Sequence, residues 1–164
     1  NKLDFVIFSP MTLKQGRQQD YFLKTIEKHY PDLLPQYDAI YQGNRWGSPS
    51  CEYSDAVHSV FSDACQRFHL PPRIPASIFS SILSENDLIS IILRQLDYIC
   101  RLRKRQSPYR VAAKSIDALE NPLSLSGLRL RQLNGVGRFT EKIIEEILDT
   151  GSSSYYKNML WGNK

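Results

Sequence analysis

Apolar positions recur at helical spacing along most of the chain. In "DYFLKTIEKHY" (20–30), Phe22, Leu23, Ile26 and Tyr30 share one face, and the run stops before Pro31. "DLLPQYDAIYQ" reads as a short helix leading into a Gly/Pro/Ser loop at 42–50. Over 53–68 the residues Val57, Val60, Phe61, Ala64 and Phe68 return at steps of three and four, which predicts an amphipathic helix. "HLPPRIP" (69–75) must break it, because three prolines remove donors and fix φ. The strongest periodicity lies at 84–106, where Leu88, Ile92, Leu96, Ile99 and Leu102 mark a buried stripe. Ser84 stands as its N-cap, with Asp87 three residues on completing a capping-box-like pattern. A further helix is predicted over 107–120 with Pro108 in its first turn. Then come a loop, a short helix at 128–133, the turn "NGVG", and a closing helix over 138–150 with Gly151 as C-cap. Only "LDFVIF" (3–8) leans towards a strand. No internal repeat or low-complexity tract interrupts the series.

These elements predict an all-α fold with at most one short N-terminal strand. The prolines place a redirection near 69–83. The expected organisation is therefore a helical extension over 1–82 followed by a second helical domain over 83–164.

Charge sharpens the division. Of the net +4, none falls in 1–82, where eight Lys/Arg meet eight Asp/Glu. Between Arg94 and Lys142 eleven basic residues face four acidic ones. A surplus gathered in one segment favours a polyanionic partner. The apolar fraction of 41% and charged fraction of 23% are those of a globular protein that sits in water. No apolar run is long enough to span a membrane, and the start is too short in apolar residues for a signal peptide. It begins with Asn rather than Met, which reads as a fragment or a processed chain. Cys51, Cys65 and Cys100 are odd in number and widely spaced, so buried free thiols in a reducing cytoplasm are expected rather than disulfides or a zinc site. His29, His58 and His69 share no metal-ligand spacing. Glu141, Glu145 and Glu146 beside Lys142 read as a solvated helix face. Trp46, Tyr155, Tyr156 and Trp161 read as packing residues or terminus anchors before base-stacking ones.

The chemistry concentrates in "LNGVGRFTEKIIEEIL" (133–148). Gly135 and Gly137 permit a sharp turn with positive φ and close approach of another backbone. Val136 between them can pin the corner inward. The helix that follows begins with N–H groups that have no partner inside it, and its dipole is positive there. Such an end suits a phosphate oxygen. Phosphate contact of this kind positions a nucleic acid without reading its sequence. Asn134, Gly135, Val136, Gly137 and Arg138 form the candidate site, with Arg129, Arg131 and Lys142 supplying charge around it. Arg138 at a helix start opposes the dipole, a local cost that an anionic partner would offset. Arg101, Arg103, Lys104, Arg105, Arg110 and Lys114 make a candidate second basic strip.

"LRQLNGVGRFTEKIIEEIL" resembles a helix-hairpin-helix motif, and 84–157 is similar to the N-terminal helical domain of the DNA polymerase β family. "SPYRVAAKSI", "LNGVG" and "EEILDTG" stand in the places of that family's conserved segments. The resemblance implies non-sequence-specific binding of DNA, single- or double-stranded, through the phosphate backbone. Its Schiff-base lysine does not carry over. The sixth residue after Gly137 is Ile143, and Lys142 lies about 100° around the helix from it. No lyase activity and no catalytic residue are therefore expected in this chain. "YFLKTIEKHYPDLLPQYDAIY" (21–41) resembles the segment after the last barrel strand of radical S-adenosylmethionine proteins of the spore-photoproduct-lyase-like group. That resemblance implies an accessory C-terminal module. An iron–sulfur cluster and S-adenosylmethionine would then belong to a region outside this sequence, since the CxxxCxxC signature is not in it. The rival expectation is a protein-docking or self-association module on the same fold.

Overall fold

The computed structural model describes residues 3–41 and 45–161 of the 164. Among the described residues there are seven α-helices: α1 (Arg17–His29), α2 (Leu34–Ile40), α3 (Cys51–Phe68), α4 (Glu85–Leu102), α5 (Tyr109–Asp117), α6 (Arg138–Thr150) and α7 (Ser154–Trp161). No strand occurs among them, so the all-α expectation holds. The segment 3–8 is extended without a ladder. Val6 N–H donates to the Pro71 carbonyl at 2.9 Å. Pro71 and Pro72 carry no N–H to return the bond, which is why pairing stops there.

The chain separates into two compact units, Phe8–Phe61 and a larger one running from Ser62 onward together with the N-terminal stretch to Ile7. The sequence-based division at 82/83 falls inside the larger unit. In the smaller unit α1 and α2 meet through Phe22 and Tyr37, edge to face at 5.2 Å. Phe8 stacks on Phe61 at 5.1 Å. Gly47, at φ +64°, lies so close to Leu13 that a Cβ would sit 2.0 Å from its carbonyl carbon, and Leu13 N–H donates to Gly47 O. The loop expected over 42–50 lies partly outside the described residues. Of the face expected on α3, only Phe61 is buried, joined by Cys65, while Val60, Ala64 and Phe68 are exposed.

The larger unit is built around α4, whose Ile89, Ile92, Leu93, Leu96, Ile99 and Cys100 are buried. Each such aliphatic side chain contributes about 1.5–3 kcal/mol on burial. Against this stripe pack Ala112, Ala113 and Ile116 of α5, Ile143, Ile144 and Ile147 of α6, and Tyr156, Met159 and Leu160 of α7. Ser84 caps α4 as expected, its Oγ accepting from Asp87 N–H at 3.2 Å and donating to Asp87 Oδ2 at 2.6 Å.

The helix ends at Leu102, four residues before the expected limit. Lys104 adopts φ +54°, its N–H reaching Arg101 O, while Arg105 N–H returns to Cys100 O. That pair of bonds is a Schellman closure, which removes Arg103, Lys104 and Arg105 from the helix. Of the cations expected in the last turn, only Arg101 is there.

The Pro-rich segment 71–76 does not act as a linker. Gln95 Nε2 donates to Ile74 O at 2.9 Å, and Ala76 N–H donates to the Tyr156 hydroxyl at 3.0 Å. Tyr156 Oη in turn donates to Gln95 Oε1. This buried triangle ties the segment to α4 and α7, which explains the shifted unit boundary. Helix α7 was not legible in the sequence. Ser153 caps it by accepting from Tyr156 N–H at 3.0 Å, and Glu146 of α6 accepts from Ser154 N–H at 2.8 Å. A hydrogen bond from the Ser154 hydroxyl, with the one from its N–H, holds the Glu146 carboxyl below its usual range. Glu146 is thus an anchor rather than part of a plain solvated face. Cys65 and Cys100 are buried thiols, both pushed up chiefly by burial, whereas Cys51 is exposed at the start of α3.

Candidate nucleic-acid interface

Residues 128–140 form a corner between a single 3₁₀ turn, Leu130–Gln132, and α6. The short helix expected at 128–133 shrinks to that one turn. Leu133 N–H closes it on Leu130 O at 3.0 Å, and Val136 N–H then bonds Leu133 O at 3.1 Å. Val136 is 6% exposed and points into the core, as its place between two glycines implied. Asn134 is exposed, and its carbonyl accepts from Ser115 Oγ at 3.0 Å, which fastens the corner to α5.

The two glycines do different work. Gly135 has φ +81°, and a Cβ on it would stand 2.5 Å from the Ala112 nitrogen and 3.0 Å from the Pro108 carbonyl oxygen. It is required by fold, because α5 packs directly on it. Gly137 has φ −93° and ψ 178°, ordinary extended geometry, which corrects the expectation of a left-handed turn at both positions. Nothing lies within 4 Å of where its Cβ would be.

Gly137 is the N-cap of α6 and supplies no side-chain cap. The first intrahelical bond of α6 runs from Glu141 N–H to Gly137 O at 2.9 Å. The N–H groups of the first turn before Glu141 therefore lack helical partners, and the dipole adds positive potential there. In front of this end lies an open concavity lined by Pro108, Tyr109, Gly135, Val136, Gly137, Arg138, Phe139 and Thr140. In its floor Tyr109, Val136 and Thr140 are buried, and burial, reinforced by a hydrogen bond with Tyr155, pushes the Tyr109 phenol far up.

Of the cations expected around the hairpin, Arg138 and Lys142 sit exposed on the first turns of α6. Arg131 is exposed beside them, its Nε 4.0 Å from Glu141 Oε2, a loose pairing. Arg129 is exposed at the entry to the 3₁₀ turn.

The second strip is dispersed. Arg101 bonds the buried Asp97 at 3.0 Å, and Asp97 also accepts from Ser107 Oγ at 2.8 Å. Arg103 donates to the Met159 carbonyl at 3.3 Å and so closes the end of α7. Both have structural duties that sequence alone did not show. Lys104 occupies the left-handed closing position of α4. Arg105 is exposed just beyond it, and Arg110 and Lys114 are exposed on α5.

Phe139 was absent from the sequence-derived site. It is 55% exposed at the mouth of the concavity, its ring meeting Tyr155 edge to face at 4.9 Å. It precedes Ile143 by one helical turn, so periodicity assigns it to the buried face. The buried stripe of α6 runs through Thr140, Ile143, Ile144 and Ile147, which leaves Phe139 at its edge with the ring in the open. Among the described residues no group of three or more His, Cys, Asp or Glu side chains is arranged to hold a metal ion. No described helix is long and apolar enough to cross a membrane.

Residues 84–153 match the family of helix-hairpin-helix domains. No curated protein and no solved structure matches the chain.

Proposed function

We propose that the chain binds DNA through its phosphate backbone, without sequence preference, at the amino-terminal end of α6. The observation that carries this reading is the uncapped start of α6 opening on unoccupied ground at Gly137, with Arg138, Lys142 and Arg131 at its rim. Free N–H donors, the helix dipole and a basic rim are the components of a phosphate site. The helix-hairpin-helix match over 84–153 supports the same reading, since such domains generally bind nucleic acid. The reading assigns no catalytic step and no cofactor to this chain.

The test is a fluorescence-anisotropy titration of duplex and single-stranded DNA at two salt concentrations, with wild type, Gly137→Ala and Arg138→Ala. Salt-sensitive binding weakened in both variants supports the site. Absence of binding at low salt would leave the apolar concavity at Phe139 as a protein-docking surface instead, because an exposed aromatic beside a buried floor also suits a protein side chain.

A further inference from the structure

We infer that Phe139 is a stacking platform for an unpaired nucleobase, so that the preferred ligand is a strand with an exposed base rather than continuous duplex. The inference rests on the phosphate reading of the α6 end and specifies its ligand. Phe139 lies two residues after the N-cap Gly137, in the same turn as the proposed phosphate donors. A nucleotide whose phosphate meets those donors brings its base within reach of a side chain one or two residues away.

The ring is presented rather than packed. It keeps 55% of its surface in solvent, while Tyr155 fixes it edge-on at 4.9 Å and interplanar angle 88°. Tyr155 is itself braced by Tyr109, with ring centroids 6.4 Å apart, and Tyr109 is buried. Tyr155, itself beside Tyr109, thus flanks a ring that stays more than half open at the mouth of the concavity. A Phe ring has only two side-chain torsions to fix on binding, which favours such a contact. In continuous duplex both faces of every base are covered by neighbours, so a flat ring has nothing to stack on. An unstacked base in a single strand, at an end or at a gap offers a face, and the contact tolerates any base. The basic rim of Arg138 and Lys142 supplies the charge that accompanies stacking grooves.

The experiment compares three fluorescently labelled probes of equal phosphate number by anisotropy: a single-stranded oligothymidylate, a strand of the same length abasic at every position, and a duplex closed at both ends by non-nucleotide linkers. Wild type should bind the oligothymidylate roughly five- to hundredfold more tightly than the abasic strand, the range a single stacked base supplies. Phe139→Ala should erase that difference while keeping the salt-dependent affinity for the abasic strand, and Phe139→Trp should restore it. Phe139 is exposed, and circular dichroism verifies that each variant is folded. Equal binding of all probes by wild type, or a base preference that survives Phe139→Ala, overturns the stacking role and leaves phosphate binding intact. Failure to bind any probe at low salt overturns both. Binding confined to the closed duplex reverses the inferred preference.

Discussion

Replacing Gly135 by Ala separates the fold of the hairpin from its function. The native φ of +81° lies where L side chains are strained, at a cost of about 1–2 kcal/mol. The added methyl would also stand 2.5 Å from the Ala112 nitrogen, 2.9 Å from Val111 Cβ and 3.0 Å from the Pro108 oxygen. Two of these neighbours are backbone atoms of the α5 start and cannot rotate away, so α5 must shift, at about 1–3 kcal/mol for overpacking. Together the loss is about 2–5 kcal/mol, a large share of the usual net stability of a domain. At about 2–4 °C per kcal/mol for a chain of this length, Tm should fall by roughly 4–20 °C.

Gly137→Ala is the matched control. Its geometry suits any residue and its surroundings are empty, so the expected cost is about 0.5–1 kcal/mol, the difference between Gly and Ala as an N-cap. The assay is thermal unfolding by circular dichroism, followed by DNA titration of whichever variants stay folded. Gly135→Ala should melt early, and Gly137→Ala should lose no more than about 1–4 °C of Tm but bind more weakly. A Gly135→Ala protein that melts within a degree or two of wild type would refute the close-approach argument.

Arg138→Ala and Lys142→Ala should each lower the log–log salt slope of binding by about one, with Tm almost unchanged, and an unaltered slope shows that the cation does not touch a phosphate. Tyr156→Phe leaves the Ala76 N–H and Gln95 Oε1 without their buried partner and should cost about 2–4 kcal/mol, read from the midpoint of urea unfolding at unchanged m. Burial raises the Tyr109 and Tyr156 phenols above their ordinary 10.0, so the unfolded chain gives up those protons first. Stability should be whole below about pH 10 and fall as pH climbs towards the raised folded values, and urea midpoints that stay flat from pH 9 to about pH 11 would contradict the burial of these groups.

The sequence determined those features that depend on neighbours within a few residues. Periodicity placed α1, α3, α4 and α6. Ser84 and Gly151 marked their caps, and the latter is left-handed at φ +73° as a C-cap glycine should be. The corner "NGVG" with an inward Val136 was legible because two glycines around one apolar residue leave little else to build.

The tertiary structure decided whatever depends on contacts distant in sequence. The prolines of 71–75 looked like a linker, yet Gln95 and Tyr156 draw that segment onto α4 and α7, and neither partner is near it in the chain. Arg101 and Arg103 looked like free cations until Asp97 and the Met159 carbonyl took them as structural partners. The two glycines looked alike, but the position of α5 makes Gly135 obligatory and leaves Gly137 open. Phe139 shares the period of Ile143 and Ile147, and only the packing around α6, which covers Thr140 and Ile144 but not the edge of the stripe, exposes its ring beside the free amides of α6. A sequence pattern gives the direction of a side chain around its helix. Whether anything waits there to cover it is settled by the packing of the other elements.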